Sequence, residues 1–141
     1  MINCGFMYAY KRDFQFRPVL VVNLGRACKI LKENAIEEVT PHCEYLLKFV
    51  SERLMVPGRI ENWITILDFG DVSLMGLPAT KIKALVGDVA ERFPASMFKT
   101  FVVNTNWATR TFLNMCVAFA DGFLKAKLVV CDNDLSQTLH K

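Results

Sequence analysis

The residue pattern predicts an α/β layered domain with a largely parallel sheet of about five strands and flanking helices. Three observations predict it. Short apolar runs recur along the chain: PVLVVNL from Pro18, WITILDF from Trp63, TFVVN from Thr100 and KLVVC from Lys127. Runs of this length, bounded by Pro, Gly or Asn, suit strands buried on both faces. Between them lie stretches whose apolar residues step by three and four, the spacing of one helix face. Strand and helix patterns alternating in this way give parallel sheets. At 141 residues and 16.0 kDa the chain reads as a single domain over residues 1–141.

Taken in order, Phe6 to Tyr10 is a short strand ended by the charged turn Lys11-Arg12-Asp13. Pro18 opens the second strand, which runs to Gly25, and a polar helix is expected over Ala27 to Val39. Thr40-Pro41 reads as a helix start, with Thr as N-cap and Pro at the first helical position. His42-Cys43 then falls in its first turn. Cys43, Leu46, Leu47, Val50 and Leu54 continue at helical spacing until Pro57-Gly58. The third strand is Trp63 to Phe69. Ile82, Leu85, Val86, Val89 and Phe93 share one face of the next helix, with Lys81, Lys83, Asp88 and Glu91 outside it and Pro94 at its end. Thr100 to Asn104 and Lys127 to Cys131 complete the sheet, and Asp132 to Lys141 is at most a short polar helix.

Composition bounds the function. Hydrophobic residues make up 52% of the chain, with eleven Phe and a mean hydropathy of +0.25, either a well-filled core or more apolar surface than a core consumes. No run approaches the ~20 apolar residues of a membrane span, and the first residues lack the basic start and apolar core of a secretory signal. A net charge of +3, with the cations scattered among carboxylates, argues against nucleic-acid binding. Mild positive charge suits an anionic membrane surface. Cys4, Cys28, Cys43, Cys116 and Cys131 have no paired short spacing and read as reduced, mostly buried thiols of a cytoplasmic protein. With only His42 and His140 beside them, no metal site is expected.

The segment from Phe93 to Lys127 is the most specific. It reads as helix end, buried strand, Asn-terminated turn, apolar helix and second strand. In the helix from Trp107 to Ala120, Phe112, Met115 and Phe119 form one row, and Leu113, Cys116, Val117 and Ala120 widen the apolar surface beyond an ordinary stripe. Such a helix is either sandwiched in a core or apolar toward a lipid, a membrane or a partner. Asp121-Gly122 then breaks it with a hinge-capable turn before Phe123-Leu124.

These elements resemble the CRAL-TRIO lipid-binding domain family, which includes the secretory phosphatidylinositol-transfer proteins. Arg17-Pro18-Val19 with Leu24-Gly25-Arg26 is similar to the family's opening Gly-Arg-Pro-Val strand, and Ile66-Leu67-Asp68-Phe69 to its central Val-Asp-Leu strand. Phe93-Pro94 stands where members carry Tyr-Pro-Glu-Arg. Val102-Val103-Asn104 resembles the Ile-Ile-Asn before the gating helix, and Phe119 to Lys127 the segment after it. The resemblance implies a sheet-floored pocket for a hydrophobic ligand, a phospholipid, closed by a gating helix and turn over residues 107–124 that opens at a membrane. It implies no enzyme activity and no cofactor beyond the bound lipid. The implied ligand contacts are Trp63, Thr65, Leu67, Phe112, Met115, Phe119, Phe123 and Lys127. The expected setting is cytoplasmic and peripheral to membranes, for intermembrane transfer or lipid sensing.

The departures from the family pattern are chemical. Ala95 and Ser96 replace the Glu and Arg of members that bind phosphatidylinositol, while Lys127 retains their strand Lys. A buried Lys without its carboxylate needs another anion or water, and a lipid phosphate would serve. Of two small hydroxyls on the central strand Thr65 remains and Trp63 replaces the other. By strand alternation Trp63, Thr65 and Leu67 share a face, so Trp63 would narrow the pocket or stack on a ligand. The helical N-terminal lobe and the closing C-terminal segment of the family have no counterpart, as expected of a truncated or shortened member.

Two other classes compete. Asp68, Asp71 and Asp132 lie where α/β enzymes place catalytic groups, but no phosphate loop, nucleophile elbow or metal cluster accompanies them. Asp68 reads as a carboxylate capping backbone N–H groups at a strand end. The alternative reading is a non-transferring interaction or scaffold module with a degenerate pocket, including a homodimer through the apolar gating helix.

Overall fold

The computed structural model describes residues 4–93, 96–118 and 122–131, and gives side-chain positions for these except 115–118 and 122–124. Five strands form one sheet: β1 (Met7–Arg12), β2 (Pro18–Asn23), β3 (Trp63–Asp68), β4 (Met97–Val103) and β5 (Leu128–Val130), side by side in chain order. β1 pairs antiparallel with β2, and every later pair is parallel. Helices α1 (Leu24–Glu33), α2 (Ile36–Phe49), α3 (Ala79–Arg92), α4 (Trp107–Ala118) and α5 (Gly122–Lys127) fill the connections. Consecutive parallel strands joined by right-handed crossovers place their helices on one face.

Register explains which side chains meet those helices. Leu20, Thr65, Thr100 and Leu128 are aligned across β2 to β5, as are Val22, Leu67, Val102 and Val130. Leu20 and Trp63 are buried with Leu47 of α2 and Val50. Val102 is buried with Leu113 of α4, Phe69 and Val72. A third cluster, Phe6, Ala27, Leu31, Val39 and Cys43, joins α1 to α2. The alternate residues Val19, Val21, Ile64, Ile66, Phe101, Val103 and Val129 face the other way, are half-buried, and join none of these clusters.

Local chemistry sets the element ends. Asn23 caps α1 by accepting a bond from the Arg26 N–H, and Gly25 is required because a Cβ there would lie 2.7 Å from the Asp71 carbonyl oxygen. Asn104 ends β4 in the left-handed region at φ 57°, a conformation Asn tolerates. Asn106 and Thr109 then cap α4 reciprocally: Asn106 Oδ1 accepts from the Thr109 N–H at 2.8 Å, and Thr109 Oγ1 from the Asn106 N–H at 2.9 Å.

Several expectations need correction. The helix predicted over 27–39 is two helices, broken at Asn34, and α2 begins at Ile36 instead of Thr40-Pro41. Val39, Cys43 and Leu47, all buried and four residues apart, extend one apolar face through Pro41, so burial overrides the proline's break. His42 is therefore inside the helix, its Nδ1 2.8 Å from the Glu38 carbonyl oxygen. β4 begins three residues early, at Met97, with an irregularity opposite Trp63-Ile64. Lys127 ends α5 and does not open β5, and Gly122 begins a helix where a turn was expected. Cys4, Cys28, Cys43 and Cys131 form no disulfide with one another, and the last three are buried.

Candidate functional site

The face shared by Trp63, Thr65 and Leu67 is the one the helices cover, so alternation grouped these residues correctly. Trp63 is only 3% exposed; its ring meets Phe93 edge-on at 5.9 Å and packs against Leu20, Leu47 and Val50. It is thus part of the core and offers no free ring face for stacking. Thr65, at 9% exposure, lies opposite the buried Thr100, whose hydroxyl donates to Met97 Sδ at 2.9 Å. The half-buried Lys127 donates from Nζ to the Met97 carbonyl oxygen at 2.5 Å. Met97 is in turn the register partner of Trp63. One ammonium, two hydroxyls and a thioether therefore gather at the lower half of β3 and β4, beside the Trp63–Phe93 pair.

Leu67 sits half-buried higher on the same face, in the group around Val102 and Leu113. Phe112 is half-buried on α4, and Trp107 at the start of that helix is 84% exposed. The side chains of Met115 and Phe123 and the whole of Phe119 lie outside the described residues, as does the Pro94-Ala95 segment. Met97 and Thr100, which join this cluster, were not among the expected ligand contacts. Thr100 was legible as a strand start, but Lys99 interrupts the apolar run and hid Met97.

α3 forms the outer wall. Ile82 and Leu85 lean on the Phe6–Cys43 cluster and Val89 on the Leu47–Trp63 cluster, yet none of the fourteen residues of α3 is buried. Polar ties hold its ends. Lys81, expected on the solvent side, donates to the Leu31 and Asn34 carbonyl oxygens at 2.6 and 2.9 Å, closing the C-terminus of α1. Arg92 pairs with Glu44 of α2 at 3.1 Å.

Of the three carboxylates weighed as catalytic, Asp71 is exposed and Asp132 lies outside the described residues. Asp68 Oδ1 accepts from the Gly70 N–H at 2.9 Å and from Asn104 Nδ2 at 2.8 Å, which is the turn-capping role expected of it. Among the described residues no three His, Cys, Asp or Glu converge as metal ligands, and no helix is long and apolar enough to cross a membrane. Among the described residues, depressions of about 280 Å³ beside Arg17 and Arg59–Asn62 and about 360 Å³ between α2 and Arg92-Phe93 open on the surface. Neither is lined by the residues gathered at Met97.

A model of the CRAL/TRIO domain matches residues 2–141. Among solved structures the chain is similar to Sfh5, with a TM-score of 0.70 and 16% sequence identity over 89% of this chain. The match covers 46% of Sfh5, so the chain spans about half the length of that protein. Among curated proteins none matches.

Proposed function

The chain belongs to the CRAL/TRIO domain family, and from that membership we propose that it holds one hydrophobic ligand, a phospholipid, between its sheet and the wall made by α3 and α4. The carrying observation is α3: an amphipathic helix whose apolar residues Ile82, Leu85 and Val89 lean on the Phe6–Cys43 and Leu47–Trp63 clusters while none of its residues is buried. A helix serving the core alone would bury that edge, as α2 does. Acyl methylenes entering beneath it would contribute about 0.8 kcal/mol each, so affinity would come from chain burial. Lys127, with the Thr65 and Thr100 hydroxyls nearby, would meet the phosphate or ester end.

In this reading the segment over residues 107–124 is the gate. The Asn106–Thr109 cap fixes its first turn, so opening would pivot about that end and swing the later turns and α5 away from the sheet. Exchange would take place at a membrane surface, by binding and release without bond chemistry.

Native mass spectrometry of the purified chain, with solvent extraction and lipid identification, is the test. One phospholipid per chain, lost in Lys127→Ala or replaced by a lipid of different head group, supports the reading. A chain that stays empty after incubation with mixed liposomes sinks it. The contact of buried Trp63 with half-buried Phe93 favours that second outcome: it fills the lower interior with protein, as a scaffold module would.

A further inference from the structure

The turn between β1 and β2 exposes more aromatic surface than a turn needs. Phe14 is 104% exposed and Phe16 67%, with Tyr10 also in solvent. These rings are not the by-product of a loose loop. Asp13 accepts from the Gln15 and Arg17 N–H groups at 2.9 and 2.8 Å, and its own carbonyl oxygen accepts from the Phe16 N–H at 3.0 Å. Arg12 closes the other side by donating to the Phe16 carbonyl oxygen at 2.7 Å. Arg17 pairs with Asp13, bonds the Gln15 side chain and lies over the Phe98 ring at 3.6 Å.

The backbone conformation is costly as well. Lys11 and Phe16 both take left-handed dihedrals, φ 50° and 63°. A bulky residue in that region is a genuine outlier, and such strain persists where surrounding bonds enforce it. Phe16 occupies the position directly before Arg17-Pro18-Val19, where glycine would meet the dihedral at no steric cost. A phenylalanine there is held outward, away from the sheet.

We propose that this turn, residues 10–17, is a docking tip for an anionic lipid bilayer. Charge selects that occupant. Of the turn's cations Lys11 and Arg12 are exposed, and the one carboxylate within the turn, Asp13, is already engaged by two backbone N–H groups and by the half-buried Arg17. Exposed phenyl rings flanked by cations suit the boundary between acyl chains and acidic head groups, where rings enter and cations remain at the surface. Position agrees with charge. The turn lies at the end of the sheet where β2, β3 and β4 begin, the same end at which Lys127 reaches Met97.

The test is sedimentation of the whole chain with vesicles of phosphatidylcholine alone and of phosphatidylcholine mixed with phosphatidylserine. Wild type is expected on the mixed vesicles, less so at high salt, and Phe14→Ala/Phe16→Gly should bind them about tenfold more weakly. The double variant should keep its melting temperature, because glycine relieves the φ of Phe16, and should carry lipid in the native mass spectrum as wild type does. That second readout separates this proposal from the ligand pocket. Equal sedimentation of variant and wild type would overturn the proposal. So would wild type that ignores both vesicle types, which would leave the tip as a protein-facing surface, or a drop in melting temperature, which would mean the rings pack on the chain.

Discussion

Helices α2 and α3 each have fourteen residues, and each carries apolar side chains at helical spacing. Their burial is opposite. α2 buries Val39, Cys43 and Leu47, while α3 buries nothing, with Val86 fully in the exposed class. α2 fills the space over β1 and β2 with side chains, and α3 is held at its two ends by Lys81 and Arg92. The contrast teaches that amphipathic spacing tells which face turns inward but not whether protein occupies the space it faces. The widest separation should appear in Leu47→Ala. Leu47 is 1% exposed between Leu20, Val50 and Trp63, and its truncation should cost about 3 kcal/mol in urea unfolding. A loss below about 1 kcal/mol would show that α2 is no better packed than α3.

Alkaline pH gives a second separation, because α2 carries a buried thiol and α3 has no cysteine. Burial, reinforced by the Glu44 carboxylate and by Cys4, pushes Cys43 from 9.0 up to about 11. Cys28 on α1 is also pushed upward by burial, partly offset by Lys32. Below pH 9 the Cys43 thiol is protonated in both folded and unfolded chains and its contribution is complete. As pH rises from 9 to 11 the unfolded chain ionises first, so stability falls by on the order of 2 kcal/mol at the upper end. Cys43→Ala should flatten that part of the stability profile. Identical alkaline slopes for wild type and variant would rule out the thiol as the cause.

Much of the α2 side was legible in the sequence and the α3–α4 side less so, for physical reasons. Runs such as PVLVVN and WITILD are apolar on both strand faces and have little alternative to a parallel sheet. Asp68 and Asn104 announced the turns that they do build. Thr40-Pro41 misled because local start signals matched a cap, whereas the start is set by Val39, whose burial belongs to the tertiary core. Trp63 was placed on the correct face, but its identity as core required knowing that Phe93, far away in sequence, would meet it. Met97 could not be found from residue type, since it enters the site through its backbone carbonyl and its sulfur. Lys81 was lost in the same way, as a cation on an apparent outer face that reaches back to another helix.

The smallest effect on folding should be the most informative about function. Leu85 and Val89 are half-buried on the inner edge of α3, each packed against a different cluster of the α2 layer. Truncating both, as Leu85→Ala/Val89→Ala, removes apolar area already partly open to solvent, and helix propensity gains slightly from Ala. Urea unfolding should therefore change by less than about 1 kcal/mol, well under the cost at Leu47. If acyl chains lie beneath α3, the same change removes part of their wall, and lipid retained in the native mass spectrum should fall even though the fold is intact. A core helix and a ligand wall then differ in which assay responds: truncation of α2 is read in stability and truncation of α3 in occupancy. If the α3 variant costs as much as Leu47→Ala and leaves lipid unchanged, the two helices do the same job and α3 is not the wall of a pocket.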